Sequence, residues 1–121
     1  MIDHIAFNVR DLERSRRFYE KALAPIGYAL GPSFPGWVGF ARGGKTAFWL
    51  ARRDPVGGSV HLAFVADSHK AVDAFHAAAI AAGGTDHGPP GLRLDYHPDY
   101  YGAFVLDPDG NNIEAVCHNP E

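Results

Sequence analysis

Three side chains, His4, His61 and Glu114, are of the types that hold a divalent metal ion and leave positions open for a substrate. Two imidazoles and one carboxylate suit an ion that acts as a Lewis acid on substrate oxygens. The set works only if the fold brings the three together across separations of 57 and 53 residues.

An internal repeat relates these positions. The segment "HIAFNVRDLERSRRFYEKALAPIG" (4–27) aligns without a gap on "HLAFVADSHKAVDAFHAAAIAAGG" (61–84), laying His4 on His61, Phe7 on Phe64, Phe18 on Phe75 and Gly27 on Gly84. Each copy opens with a short apolar run of strand character. A capping residue follows, Asp11 or Ser68, and then a helix with an apolar stripe: Phe18, Ala22 and Leu23 in one copy, Val72, Phe75 and Ala79 in the other. The tails align with a shift of 65, "VGFARGGKTAFWLA" (38–51) on "AFVLDPDGNNIEAV" (103–116). Each half therefore reads strand, helix, strand, strand, strand, with strands expected near 2–9, 26–31, 35–42, 45–51, 59–66, 85–93, 101–107 and 111–117.

The stretch "GFARGGKT" (39–46) satisfies the phosphate-loop pattern. A phosphate loop must lead into a helix whose N-terminus faces the charge, whereas "TAFWLA" is β-like. The glycines are read as a turn. "DPDGN" holds the same place in the second copy, and Asp107 and Asp109 are read as turn residues rather than calcium ligands.

Strand alternation sorts the faces. Ile5, Phe7 and Val9 share one side and His4, Ala6 and Asn8 the other; Leu62 and Phe64 oppose His61, Ala63 and Val65; Ile113, Ala115 and Cys117 oppose Asn112, Glu114 and Val116. The bulky sides should pack on helices, which leaves both histidines and Glu114 facing a space the sheet encloses. The repeat-equivalent of Glu114 is Trp49, so a fourth ligand is missing and Trp49 is expected as a pocket wall. The alternative is a metal-free pocket in which Glu114 hydrogen-bonds one histidine.

The connection "GLRLDYHPDYYGAF" is dense in polar and aromatic residues. If it lines the cup, His97 or Tyr101 is a candidate general acid or base, Arg93 a contact for an anionic group, and Tyr96 and Tyr100 pocket residues. It reads equally as a loop or dimer surface. His69 and His76 fall on the second helix and are expected to be solvated, and Cys117 should face the core.

The 121 residues are 46% hydrophobic with a formal charge of −3, enough for one compact domain and without a basic patch for nucleic acid. No uncharged apolar stretch approaches the roughly 18 to 20 residues a membrane span needs. A single cysteine excludes an internal disulfide framework, and the acidic N-terminus is unlike a signal peptide, so a cytoplasmic location is expected.

The opening "DHIAFNVRDLERSRRFYEKAL", the junction "VHLAFVA" and the ending "FVLDPDGNNIEAV" together resemble the vicinal oxygen chelate superfamily, which includes glyoxalase I, extradiol dioxygenases, epimerases, fosfomycin-resistance enzymes and bleomycin-resistance proteins. The resemblance implies one α+β domain over 1–121, built from two tandem βαβββ modules (about 1–56 and 57–121). They would form a curved, cup-shaped mixed sheet with helices outside. It implies a divalent ion (Fe, Mn, Ni or Zn) on His4, His61 and Glu114, a small-molecule substrate, and a homodimer, with His4 meeting His61 either of its own chain or of the partner. Glyoxalase I usually has an acid where this chain has Trp49, which argues against lactoylglutathione lyase activity; the two-histidine, one-glutamate set of extradiol dioxygenases fits better. The alternative within the family is metal-free sequestration of the bleomycin-resistance kind, with Trp37, Trp49 and the tyrosines as an apolar cup.

Overall fold

The computed structural model describes residues 2–56 and 60–121. The first module runs β1 (Ile5–Val9), α1 (Leu12–Leu23), a 3-10 turn at Ala24–Ile26, β2 (Ala29–Phe34), β3 (Trp37–Arg42) and β4 (Lys45–Arg52). The second runs β5 (His61–Val65), α2 (His69–Ala81), β6 (Thr85–Leu92), β7 (Tyr101–Leu106) and β8 (Asn112–Cys117). Both are βαβββ modules, and each forms its own four-stranded mixed sheet, in the orders β1-β4-β3-β2 and β5-β8-β7-β6. The sheets do not close into a barrel. The expected beginning of the fifth strand at residue 59 lies outside the described residues, and His4 stands one residue before β1.

The helices begin where side chains can satisfy their free N–H groups. Asp11 accepts from the Arg14 amide and Ser68 from the Ala71 amide, each at 3.0 Å. Gly27, at φ 92°, ends the 3-10 turn in the left-handed region. The two expected helix stripes are fully buried, together with Tyr19, and join one core drawn from both modules. Phe48 sits at its junction, edge-on to Phe7, Tyr19 and Phe64 at centroid distances of 5.3, 4.9 and 5.5 Å. Such pairs add about 0.5–1.5 kcal/mol each beyond burial.

Gly43 and Gly44 both take positive φ (58° and 78°) in the tight turn between β3 and β4. Residues 39–46 thus form a hairpin and not a phosphate loop. The corresponding turn in the second module is held by buried Asp107, which accepts from the Tyr19 hydroxyl at 2.5 Å, the Asp109 and Asn111 amides at 2.9 and 2.8 Å, and the Asn111 side-chain amide at 2.9 Å. Asp109 faces Arg10 at 3.3 Å and Arg14 at 3.5 Å. Both acids are occupied by donors, and they tie the β7–β8 turn to α1 of the other module. That tie fixes the strand that carries Glu114.

Candidate metal centre and pocket

Glu114 lies at the middle of β8, opposite Ala63 of β5 and Phe104 of β7. Paired residues share a face, so the side presented by His61, Ala63 and Val65 is also that of Asn112, Glu114 and Val116, as strand parity predicts. Glu114 is only 2% exposed, while the His61 side chain beside it is 49% exposed. The carboxylate is thus sunk in the sheet with the imidazole over it.

The hydrogen bonds settle the tautomer of His61. Its Nδ1 lies 3.0 Å from the Asn112 carbonyl oxygen, which can only accept, so Nδ1 carries the proton. Its Nε2 stands 3.2 Å from Glu114 Oε1, and presents a lone pair to it in the neutral ring or a proton in the imidazolium. Two lone pairs at that distance repel unless a proton or a metal cation lies between them. Nitrogen and oxygen ligands at about 2.1 Å from one ion stand roughly 2.9 to 3.4 Å apart, between right-angled and tetrahedral arrangements. The spacing and the Nδ1–H donated to a backbone carbonyl are compatible with a metal-ligating histidine and its carboxylate neighbour, and equally with a histidine–carboxylate ion pair.

The second carboxylate oxygen is also engaged, since the Tyr100 hydroxyl donates to Oε2 of Glu114. Burial and then the Glu114 charge raise the Tyr100 phenol well above its ordinary pKa, which keeps it a donor. Glycine at 102 makes this contact fit: a Cβ there would stand 3.1 Å from Oε2 and 3.2 Å from the Tyr100 ring. Tyr96 packs edge-on to Tyr100 at 4.8 Å, and the Arg93 guanidinium lies over Phe104, 5.4 Å from its ring centre. Phe104 in turn stacks near His61 at 6.1 Å.

His97 and Tyr101, expected as proton-transfer residues, are placed differently from each other. His97 accepts the Asp99 amide on Nδ1 at 3.1 Å, so its Nε2 carries the proton toward His118 Nδ1, 2.8 Å away. Both rings lie against Tyr100, at 5.3 and 5.4 Å. Tyr101 pairs with Cys117 and so points to the helix side of the sheet. There its hydroxyl donates to Asp73 of α2 at 2.6 Å, a bond that pushes its phenol up to about 12. Adjacent strand residues face opposite ways, so Tyr100 and Tyr101 cannot both meet Glu114.

His4 belongs to a second concavity. A hollow of about 580 Å³ on the first sheet is lined by Asp3, His4, Ala6, Phe34, Trp37, Thr46 and Trp49. Trp49 stacks on Phe34 at 6.2 Å and meets Trp37 edge-on at 6.4 Å. His4 Nδ1 lies 2.7 Å from Asp3, whose carboxyl Lys45 and then His4 hold below its ordinary pKa. Among the described residues, one set of three His, Cys, Asp or Glu side chains has its ligand atoms within 4.8 Å of one another, and it does not include His4, His61 or Glu114. Within one chain, then, His61 and Glu114 come together and His4 stands apart.

Phe34 lines the hollow on the first sheet, while Gly102 stands against Glu114, Phe104 near His61 and His118 beside His97; all four escape the sequence reading of the site. The parity of His118 with Glu114 was the available signal for one; the bulged pairing of β2 and β6 hides the register of their neighbours.

The sequence profile of the Glyoxalase/Bleomycin resistance protein/Dioxygenase superfamily matches residues 1–115. A glyoxalase/bleomycin resistance protein from Albidiferax ferrireducens T118 has 35% sequence identity, a TM-score of 0.83 and 98% coverage of both chains. A putative glyoxalase from Bacillus halodurans is 26% identical with a TM-score of 0.73, covering 97% of this chain and 95% of its own. A glyoxalase/bleomycin resistance protein/dioxygenase family enzyme from Burkholderia phytofirmans PsJN, at 23% identity and a TM-score of 0.77, shares the fold over 98% of both chains. No curated protein matches the chain. No helix in the described residues is long and apolar enough to cross a membrane.

Proposed function

This chain belongs to the glyoxalase/bleomycin resistance protein/dioxygenase superfamily, and we propose that within it the protein is a metal-dependent enzyme acting on a small oxygenated molecule. The observation that carries this reading is His61 Nε2 facing buried Glu114 Oε1 at 3.2 Å, a pair that either a proton or a divalent cation between the two atoms would satisfy and whose spacing suits two ligands of one ion. A divalent ion there (Fe, Mn, Ni or Zn) would supply Lewis acidity toward two adjacent substrate oxygens.

His61 and Glu114 would hold the ion, and Tyr100 would fix the carboxylate by occupying Oε2. Because His4 stands apart from this pair in its own chain, its role as third ligand requires a second copy. Each cup of a homodimer would then join the His61–Glu114 half of one subunit to the His4, Trp37 and Trp49 half of the other. The aromatic half would exclude water and hold an apolar substrate body, while Arg93 would meet an anionic group. His97, hydrogen-bonded to His118 through Nε2, would be the residue to move a proton. A cytoplasmic location accords with the single unpaired cysteine.

The 580 Å³ aromatic hollow supports a second reading, a metal-free protein that sequesters an aromatic ligand. Subunit complementation separates the two. Mixed dimers of His4→Ala and Glu114→Ala subunits should regain one intact site and so bind metal at one site per dimer, which neither variant does alone. Mixed dimers that bind no more metal than the separate variants would remove the shared site.

A further inference from the structure

A second set of metal-capable side chains lies on the other side of the C-terminal sheet, away from Glu114. His69, Cys117 and Glu121 each offer a ligand atom, and these atoms all lie within 4.8 Å of one another. Three elements bring them together: His69 is the first residue of α2, Cys117 ends β8, and Glu121 lies in the segment after it. Cys117 faces the helix side of its strand, where its neighbour Tyr101 stacks face to face on the His69 ring at 3.8 Å and 7°. The Tyr101–Asp73 hydrogen bond braces that stack from α2.

The three donors differ in how far they are already engaged. The Nε2 of His69 is shut off from solvent and has no hydrogen-bond partner among the described residues, an uncompensated polar atom where most buried groups are paired. The Cys117 sulphur is fully buried and receives the Asn119 amide at 3.4 Å, so its position beside the other two side chains is fixed. Glu121 Oε2 lies 3.9 Å from that sulphur and accepts the His69 backbone N–H at 2.8 Å. Sulphur and oxygen on one tetrahedral zinc ion stand roughly 3.5 Å apart, so this pair needs to close by only a few tenths of an ångström, while the set as a whole, within 4.8 Å, draws together further on an ion. The Asn119 carbonyl oxygen, also 3.9 Å from the sulphur, or a water can complete the set.

We propose that His69, Cys117 and Glu121 form a second metal site that takes a thiophilic divalent cation of the zinc class. Thiolate, imidazole and carboxylate select such an ion over magnesium or calcium, which prefer oxygen alone. Binding moves the Cys117 thiol proton to solvent and ties the start of α2 to the end of β8. The site stands independently of the His61–Glu114 centre, on the opposite face of the same sheet.

Cobalt(II) titration of the full, untagged chain tests this, because thiolate ligation gives cobalt a sulphur-to-metal charge-transfer band. The band is expected to saturate at about one equivalent per chain, to persist in the His61→Ala, Glu114→Ala double variant, and to be displaced by zinc. Because replacing a buried cysteine risks the fold, His69→Ala carries the test beside Cys117→Ser, with circular dichroism checking both. His69→Ala should require at least about tenfold more cobalt, since loss of even an outer partner costs that much. No charge-transfer band in the wild type, or one whose titration His69→Ala leaves unchanged, would overturn the site.

Discussion

His61 Nε2 and Glu114 Oε1 stand 3.2 Å apart while the opposite edge of the imidazole is fixed by the Asn112 carbonyl oxygen. Adjacent parallel strands produce this contact: His61 pairs with Asn112, two residues before Glu114, so the ring leans along the strand onto the carboxylate. The sheet thereby holds the two side chains in contact, one of them out of water.

Tyr100→Phe removes the donor to Glu114 Oε2. A buried acceptor left unsatisfied costs about 1–3 kcal/mol, and loss of an outer-sphere partner weakens metal binding about 10–100-fold. Chemical denaturation and metal titration of the same variant should show both losses. Unchanged metal affinity would mean that Tyr100 does not orient the carboxylate.

Gly102→Ala places a methyl group 3.1 Å from Glu114 Oε2 and 3.2 Å from the Tyr100 ring. The expected result is an intact fold with weakened metal binding, since carboxylate and phenol must separate to admit it. An affinity equal to the wild type would show that the close approach has no bearing on the centre.

Tyr19 is fully buried and donates to Asp107, and burial first, then the Asp107 charge, raise its phenol well above its ordinary pKa. A pKa raised on folding gives stability that is complete below the unfolded phenol's value of about 10 and is lost as pH climbs beyond it. Tyr19→Phe should therefore cost about 1–3 kcal/mol near neutrality and flatten the alkaline fall of stability. Denaturation midpoints from pH 7 to 11 would contradict this if the two proteins lost stability in parallel.

Much of this arrangement is legible in the sequence because strand parity and the repeat are strong constraints. Counting alternate residues puts Glu114 with His61's face, and the 57-residue repeat marks both modules. The adjacent tyrosines show where that reading stops: assigning Tyr101 to the cup requires the register of β7, which follows an irregular loop, and the pairing with Cys117 turns it to α2 instead. His69, expected in solvent, is half-buried because its position at the start of α2 lays it on Tyr101. Long-range tertiary contacts of this kind, like the Tyr19–Asp107 bond between modules, leave no periodic signal in the chain.

Trp49→Glu restores a carboxylate at the position repeat-equivalent to Glu114, next to Ala6 on the concave face of the first sheet. In a shared cup this should raise metal affinity while removing the stacking with Phe34 and weakening aromatic ligands. Isothermal titration with metal and with an aromatic ligand separates the effects; weaker metal binding would place residue 49 outside the coordination sphere.

The central claim is that His61 and Glu114 hold a metal, and elemental analysis tests it most directly. Untagged protein purified without chelators, then reconstituted with iron(II), manganese, nickel or zinc, is compared with His61→Ala and Glu114→Ala, all carrying Cys117→Ser with a verified fold so that a second site does not mask the result. The account predicts a near-stoichiometric ion in the parent that both variants lose. An ion content unchanged by either substitution, or none after reconstitution with all four metals, would contradict it.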